Sequence, residues 1–208
     1  MTTILVFGDS IAWGAYDSKP GGWVGRLEKF FKREKGSDFE LFNFAVEGDI
    51  TTNLLHRYGA EIKSKIEGRS NIIIIIAIGV NDSYFIRMRN DFMTAPEEFQ
   101  KNIRKLILIG RYFTTKIVFV GLAPINETMT APILLNADHA YKNVNIKRYD
   151  DILKKTCQEQ KVDFIEIYDN WLKTEYKELL EDGLHPNEKG HKKLFQDVKD
   201  YLISKKII

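Results

Sequence analysis

The chain has 208 residues, enough for one sizeable core, and its 44% hydrophobic and 29% charged residues are those of an ordinary globular domain. Its 31 basic and 29 acidic side chains leave a formal net charge of +2, spread along the chain, which argues against nucleic acid as a partner. No apolar run reaches the roughly 18 residues of a membrane span, and the single cysteine, Cys157, excludes an internal disulfide.

In chain order, TILVF (3–7) reads as a core strand rather than a cleavable leader, so the expected location is cytoplasmic. PGGWVG (20–25) lacks the pattern of a phosphate loop and reads as a turn into a helix over 22–34, with Val24, Leu27, Phe30 and Phe31 on one face. ELFNF (40–44) is the second strand, followed by a helix from about 51 to 68. NIIIIIAI (71–78) shows no alternation, the pattern of a central parallel strand buried on both faces. A helix over 95–113 repeats Phe99, Ile103, Leu106 and Ile107. KIVFVGL (116–122) is the fourth strand. A helix over 141–160 carries Ile146, Tyr149, Ile152 and Leu153, with Cys157 as a small buried filler. VDFIEI (162–167) is the fifth strand, and the last helix, 187–203, opens on Asn187 as N-cap.

Strands alternating with helices predict a three-layer α/β/α sandwich with a five-stranded parallel sheet of the flavodoxin-like kind, a single domain over 1–208. In such sheets, sites form beyond the carboxyl ends of the strands. The segments left as loops are 9–21, 45–50, 79–94, 123–140 and 168–186.

Four of these segments carry chemistry suited to acyl transfer. GDSIAWG follows the first strand and offers Ser10, a weak nucleophile until a base takes its proton. LEDGLHPN, before the last helix, offers His185 as that base, with Asp182 three residues earlier to orient it. An oxyanion hole needs donors aimed at the developing charge. The Ser10 N–H, the Gly48 N–H in FNFAVEGD and the Asn81 amide in AIGVNDS can supply three. Gly48 is expected there because it lacks a side chain that would block close approach.

Together these blocks resemble the GDSL esterase/lipase family, the SGNH hydrolases. FGDSIAWG resembles the first block, with Ser10 matching the nucleophile. AVEGD resembles the second, with Gly48 matching the oxyanion glycine. GVND resembles the third, with Asn81 matching the oxyanion asparagine. DGLHPN resembles the last, with His185 matching the base and Asp182 its acid. The resemblance runs from residue 4 to about residue 195 and implies the SGNH hydrolase fold and a serine ester hydrolase acting on a small-molecule ester without a cofactor. An O-acyltransferase with the same triad is the first rival. A non-catalytic ligand-binding module on a flavodoxin-like fold is the second. Acyl length, alcohol and oligomeric state stay open.

Around these blocks, Asp9 and Asp82 are expected to make loop hydrogen bonds, and His191 to be structural. His56 and His139 have no partners at metal-ligand spacing, so no metal site is expected. Trp13 and Tyr16 either shape an entrance or pack against the loop. The same two readings, acyl pocket or lid against loop anchor, apply to Tyr84, Phe85, Met88, Phe92, Ile125, Met129, Ile133 and Leu134.

Overall fold

The computed structural model describes residues 1–131, 133 and 138–208. The first half of the chain forms β1 (Thr2–Gly8), α1 (Ser10–Trp13), α2 (Gly22–Lys35), β2 (Phe39–Asn43), α3 (Thr51–Ile66) and β3 (Asn71–Ala77), then the two-residue strands β4 (Phe85–Ile86) and β5 (Asp91–Phe92). The second half forms α4 (Pro96–Arg111), β6 (Ile117–Val120), α5 (Glu127–Thr130), β7 (His139–Ala140), α6 (Asn143–Glu159), β8 (Asp163–Ile165), α7 (Tyr168–Trp171) and α8 (Glu188–Ser204).

Five strands pair in parallel in the order β2-β1-β3-β6-β8, the flavodoxin-like arrangement the periodicity predicts. The isoleucine run of β3 shows why the sheet is covered on both faces. Ile72, Ile74 and Ile76 pack with Leu54, Tyr58 and Ile62 of α3, Phe99, Ile103 and Leu106 of α4, and Ile146, Tyr149 and Leu153 of α6. Ile73 and Ile75 point the other way, to Trp23, Val24 and Leu27 of α2 and Leu194, Val198 and Leu202 of α8. Burying each such side chain contributes roughly 1.5–3 kcal/mol, so the run commits β3 to the centre. Strand order reverses between β1 and β3, and the crevice beyond their carboxyl ends is where ligands enter such sheets. Ser10 lies two residues past β1, and Asn81 four past β3.

The long elements fall within about two residues of their expected limits. The segments read as loops hold more structure than expected. A second sheet, β5-β4-β7, pairs Phe85 with Phe92 and with Ala140. It joins loops 79–94 and 123–140, and short helices occupy parts of 9–21, 123–140 and 168–186. Elements of two to four residues are too short to show a hydrophobic period. Among the described residues, no helix is long and apolar enough to cross a membrane.

Candidate active site

The Ser10 loop is shaped by the residues on either side of the serine. A side chain at Gly8 would sit 2.4 Å from the Ala77 carbonyl oxygen of β3 and 2.6 Å from Ala12 Cβ, so only glycine lets α1 start this close to the sheet. Asp9 caps α1, accepting the Ile11 N–H at 3.0 Å, as its expected loop role requires. Burial pushes the Asp9 carboxyl up to about 7, although the Ile11 N–H and the nearby His185 draw it down. Ser10, first in the helix, is 8% exposed.

Its hydroxyl oxygen lies 2.9 Å from His185 Nε2, a contact spanning 175 positions of sequence. On the other side of the ring, His185 Nδ1 lies 2.7 Å from Asp182 Oδ2. The second Asp182 oxygen accepts the backbone N–H groups of Leu184 (3.0 Å) and His185 (2.8 Å), so one carboxylate holds both the turn and the ring. Burial raises the Asp182 carboxyl, but the His185 side-chain, backbone and charge interactions, with the Leu184 N–H, outweigh it and hold the pKa at about 2. An ionised carboxylate only accepts, so Nδ1 carries the proton, and Nε2 of a neutral ring faces Ser10 as an acceptor. The turn is pinned by a Glu181 N–H bond to the His185 carbonyl (2.8 Å). Asn187 caps α8 through the Lys189 and Gly190 N–H groups.

Loops 45–50 and 79–94 meet beside the serine. The Val46 N–H bonds to the Gly8 carbonyl at 3.0 Å. Arg57 on α3 bridges the two ends of the same loop, bonding the Phe44 carbonyl (2.7 Å) and the Asp49 carboxylate (2.5 Å). Gly48 has φ +75, and nothing in the protein lies within 4 Å of where its Cβ would be. Close approach of protein atoms is therefore not what requires glycine here; the left-handed backbone is. Asn81 is 7% exposed; its Nδ2 donates to the Asp49 carbonyl (3.0 Å), and its Oδ1 accepts from the Tyr141 hydroxyl (2.9 Å). Next to it, buried Asp82 caps α3 from outside, accepting the Thr51 N–H at 3.1 Å and the Thr51 hydroxyl at 2.5 Å. Among the described residues, neither the Ser10 nor the Gly48 N–H is bonded to a protein acceptor.

The structure thus joins Ser10, His185 and Asp182 in one chain of contacts and ties the loops of Gly48 and Asn81 together beside it. Tyr16, left-handed at φ +61 and 57% exposed, sets its ring 5.2 Å from that of His185. Trp13 is also exposed. His191 is fully buried: its Nδ1 accepts the Trp23 N–H (3.3 Å), and Nε2 lies 2.8 Å from the Ala15 carbonyl, tying α8 to the Ser10 loop. Ile125 is buried in the core, with Tyr84, Phe92 and Ile133 packed against it, so these are anchors. Met88 and Met129 are exposed, and Leu134 lies outside the described residues. Tyr141 is the residue beside the site that sequence reasoning missed; it stands next to two-residue β7, in no recognisable motif.

The profile described as the GDSL-like Lipase/Acylhydrolase family matches residues 6–193. Esterase TesA of Pseudomonas aeruginosa is 28% identical over 120 residues, 58% of this chain and about half (54%) of that protein's length. The isoamyl acetate-hydrolyzing esterase of Saccharomyces cerevisiae is 25% identical over 213 residues, covering 93% of this chain and 82% of its own. Among solved structures, a lipase/acylhydrolase from Enterococcus faecalis superposes with a TM-score of 0.79 at 19% identity, over 99% of this chain and 97% of that one, a likeness of fold.

Proposed function

The chain belongs to the GDSL-like Lipase/Acylhydrolase family and is a carboxylic ester hydrolase, and we propose that it works through an acyl-enzyme on Ser10. One observation carries this reading: the unbroken chain from Ser10 Oγ through the His185 ring to the ionised Asp182 carboxylate, at 2.9 and 2.7 Å. As Oγ attacks the ester carbonyl carbon, its proton passes to His185 Nε2 and the carbonyl electron pair moves onto oxygen. The Ser10 and Gly48 N–H groups and Asn81 Nδ2 donate to that oxyanion. Collapse breaks the bond to the alcohol, which leaves with the proton from Nε2. Water then attacks the acyl carbon and gives a proton to Nε2. The second collapse releases the acid and returns the proton to Ser10. Asp182 stabilises the imidazolium formed in each half without taking its proton.

The test is hydrolysis of p-nitrophenyl esters, acetate through palmitate, by the wild type and by Ser10→Ala. Loss of the nucleophile is expected to lower turnover by on the order of 10⁴-fold or more. Equal rates for the two proteins would remove Ser10 from the reaction. The chain-length optimum of the wild type reports the depth of the acyl site.

A further inference from the structure

We propose that Tyr141 is a positioning residue for the oxyanion hole, acting through the side-chain amide of Asn81. The proposal rests on the reading of Asn81 given above. An asparagine amide can point either way, and only one orientation offers N–H groups to an oxyanion. Two contacts decide it. The Asp49 carbonyl can only accept, so Nδ2 must face it (3.0 Å), and Oδ1 is left to face the Tyr141 hydroxyl, which donates to it at 2.9 Å. With one Nδ2 hydrogen committed to Asp49, the other is free for substrate. Donation to Oδ1 also draws electron density out of the amide and makes that remaining N–H a stronger donor, as in any chain of polarised hydrogen bonds.

The fold around Tyr141 holds its ring for this contact. The residue before it, Ala140, pairs with Phe85, and Phe85 lies in the same loop as Asn81, so the small sheet fixes one segment against the other. The Tyr141 N–H bonds the Thr130 carbonyl (3.0 Å), and the Tyr141 carbonyl accepts from the Thr130 hydroxyl (3.2 Å). The Tyr84 ring stands edge-on at 5.6 Å. Tyr141 is 7% exposed, and burial with the nearby Asp9 carboxyl raises its phenol, keeping it a neutral donor. No other role for the hydroxyl is needed to account for its burial.

The experiment compares Tyr141→Phe, Asn81→Ala and the double variant on a p-nitrophenyl ester. Each fold is checked by circular dichroism and thermal melting, and each protein's affinity for a trifluoromethyl ketone, whose hemiketal oxygen mimics the oxyanion, is measured. Removing a whole oxyanion donor costs on the order of 10²- to 10³-fold in kcat. Losing only the group that orients it is expected to cost about tenfold, in kcat rather than KM, with a similar loss of ketone affinity. In the Asn81→Ala background, Tyr141→Phe should change nothing further. A folded Tyr141→Phe enzyme with wild-type kcat and ketone affinity overturns the proposal while leaving Asn81 in place. So does a tenfold loss that persists after Asn81 is gone. Should Tyr141→Phe melt within the assay range, the same comparison is made below its melting temperature, where wild-type kcat and ketone affinity would equally overturn it. If Asn81→Ala itself keeps wild-type kcat, the oxyanion reading fails and Tyr141 falls with it.

Discussion

On one side of Ser10, a single carboxylate three residues from His185 bonds both the turn and the ring. On the other, Asn81 is held by Asp49, 32 positions away, and by Tyr141, 60 positions away, while its neighbour Asp82 reaches 31 positions back to Thr51. The first side is partly exposed and centred on one carboxylate–imidazole pair; the second is buried and held by contacts from several distant segments. Asp182, held at about 2, and the buried Asp9, raised to about 7, differ in the same sense. A proton acceptor needs a charge beside it that follows the imidazolium as it forms. A set of donors for a transient anion needs rigid dipoles shielded from water. The two constructions fit those two needs.

The contrast can be broken first at the carboxylate. Asp182→Asn keeps the shape but can turn an N–H toward Nδ1 and favour the wrong tautomer. Turnover is expected to fall by on the order of 10³- to 10⁴-fold, read in kcat on a short-chain ester. A fall of less than tenfold would mean the half-exposed side does not depend on charge. On the buried side, Asn81→Ala is expected to cost on the order of 10²- to 10³-fold in kcat, with KM little changed. A loss confined to KM would make Asn81 a substrate anchor instead.

The smallest effect is on stability and sharpens the charge distinction. Asp9 is raised in the fold, so between about pH 4 and pH 7 the unfolded chain has released a proton that the folded chain retains. Stability from this group therefore falls as pH rises through that window and levels off above it. Asp9→Asn keeps an acceptor for the Ile11 N–H and removes the slope. Urea midpoints should show the variant gaining on the wild type from pH 5 to pH 8, by up to a few kcal/mol. An identical difference at both pH values would mean that Asp9 is ionised in the fold.

The same contrast explains what a reader of the sequence can see. Asp182 and His185 are legible because their geometry is local: three residues in a turn suffice. The five strands are legible because each is a short apolar run, and the isoleucines of β3 need no partner to declare a strand buried on both faces. At Gly48 the left-handed backbone becomes visible only in the fold. Asp82 is legible as a hydrogen-bonding loop residue but its partner on α3 is not, and Tyr141 and the pairing of β4 with β7 leave no trace, because each depends on segments that meet only after the sheet has formed.

The 175 positions between Ser10 and His185 also have a meaning in time. At about 5–20 residues per second, a ribosome needs roughly 9–35 s to pass from one to the other. Throughout that interval the emerging polypeptide displays Ser10 without His185, its partner in the fold. On the proposed mechanism, ester hydrolysis waits for the His185 turn, and its appearance during synthesis would time the moment when that turn docks against Ser10.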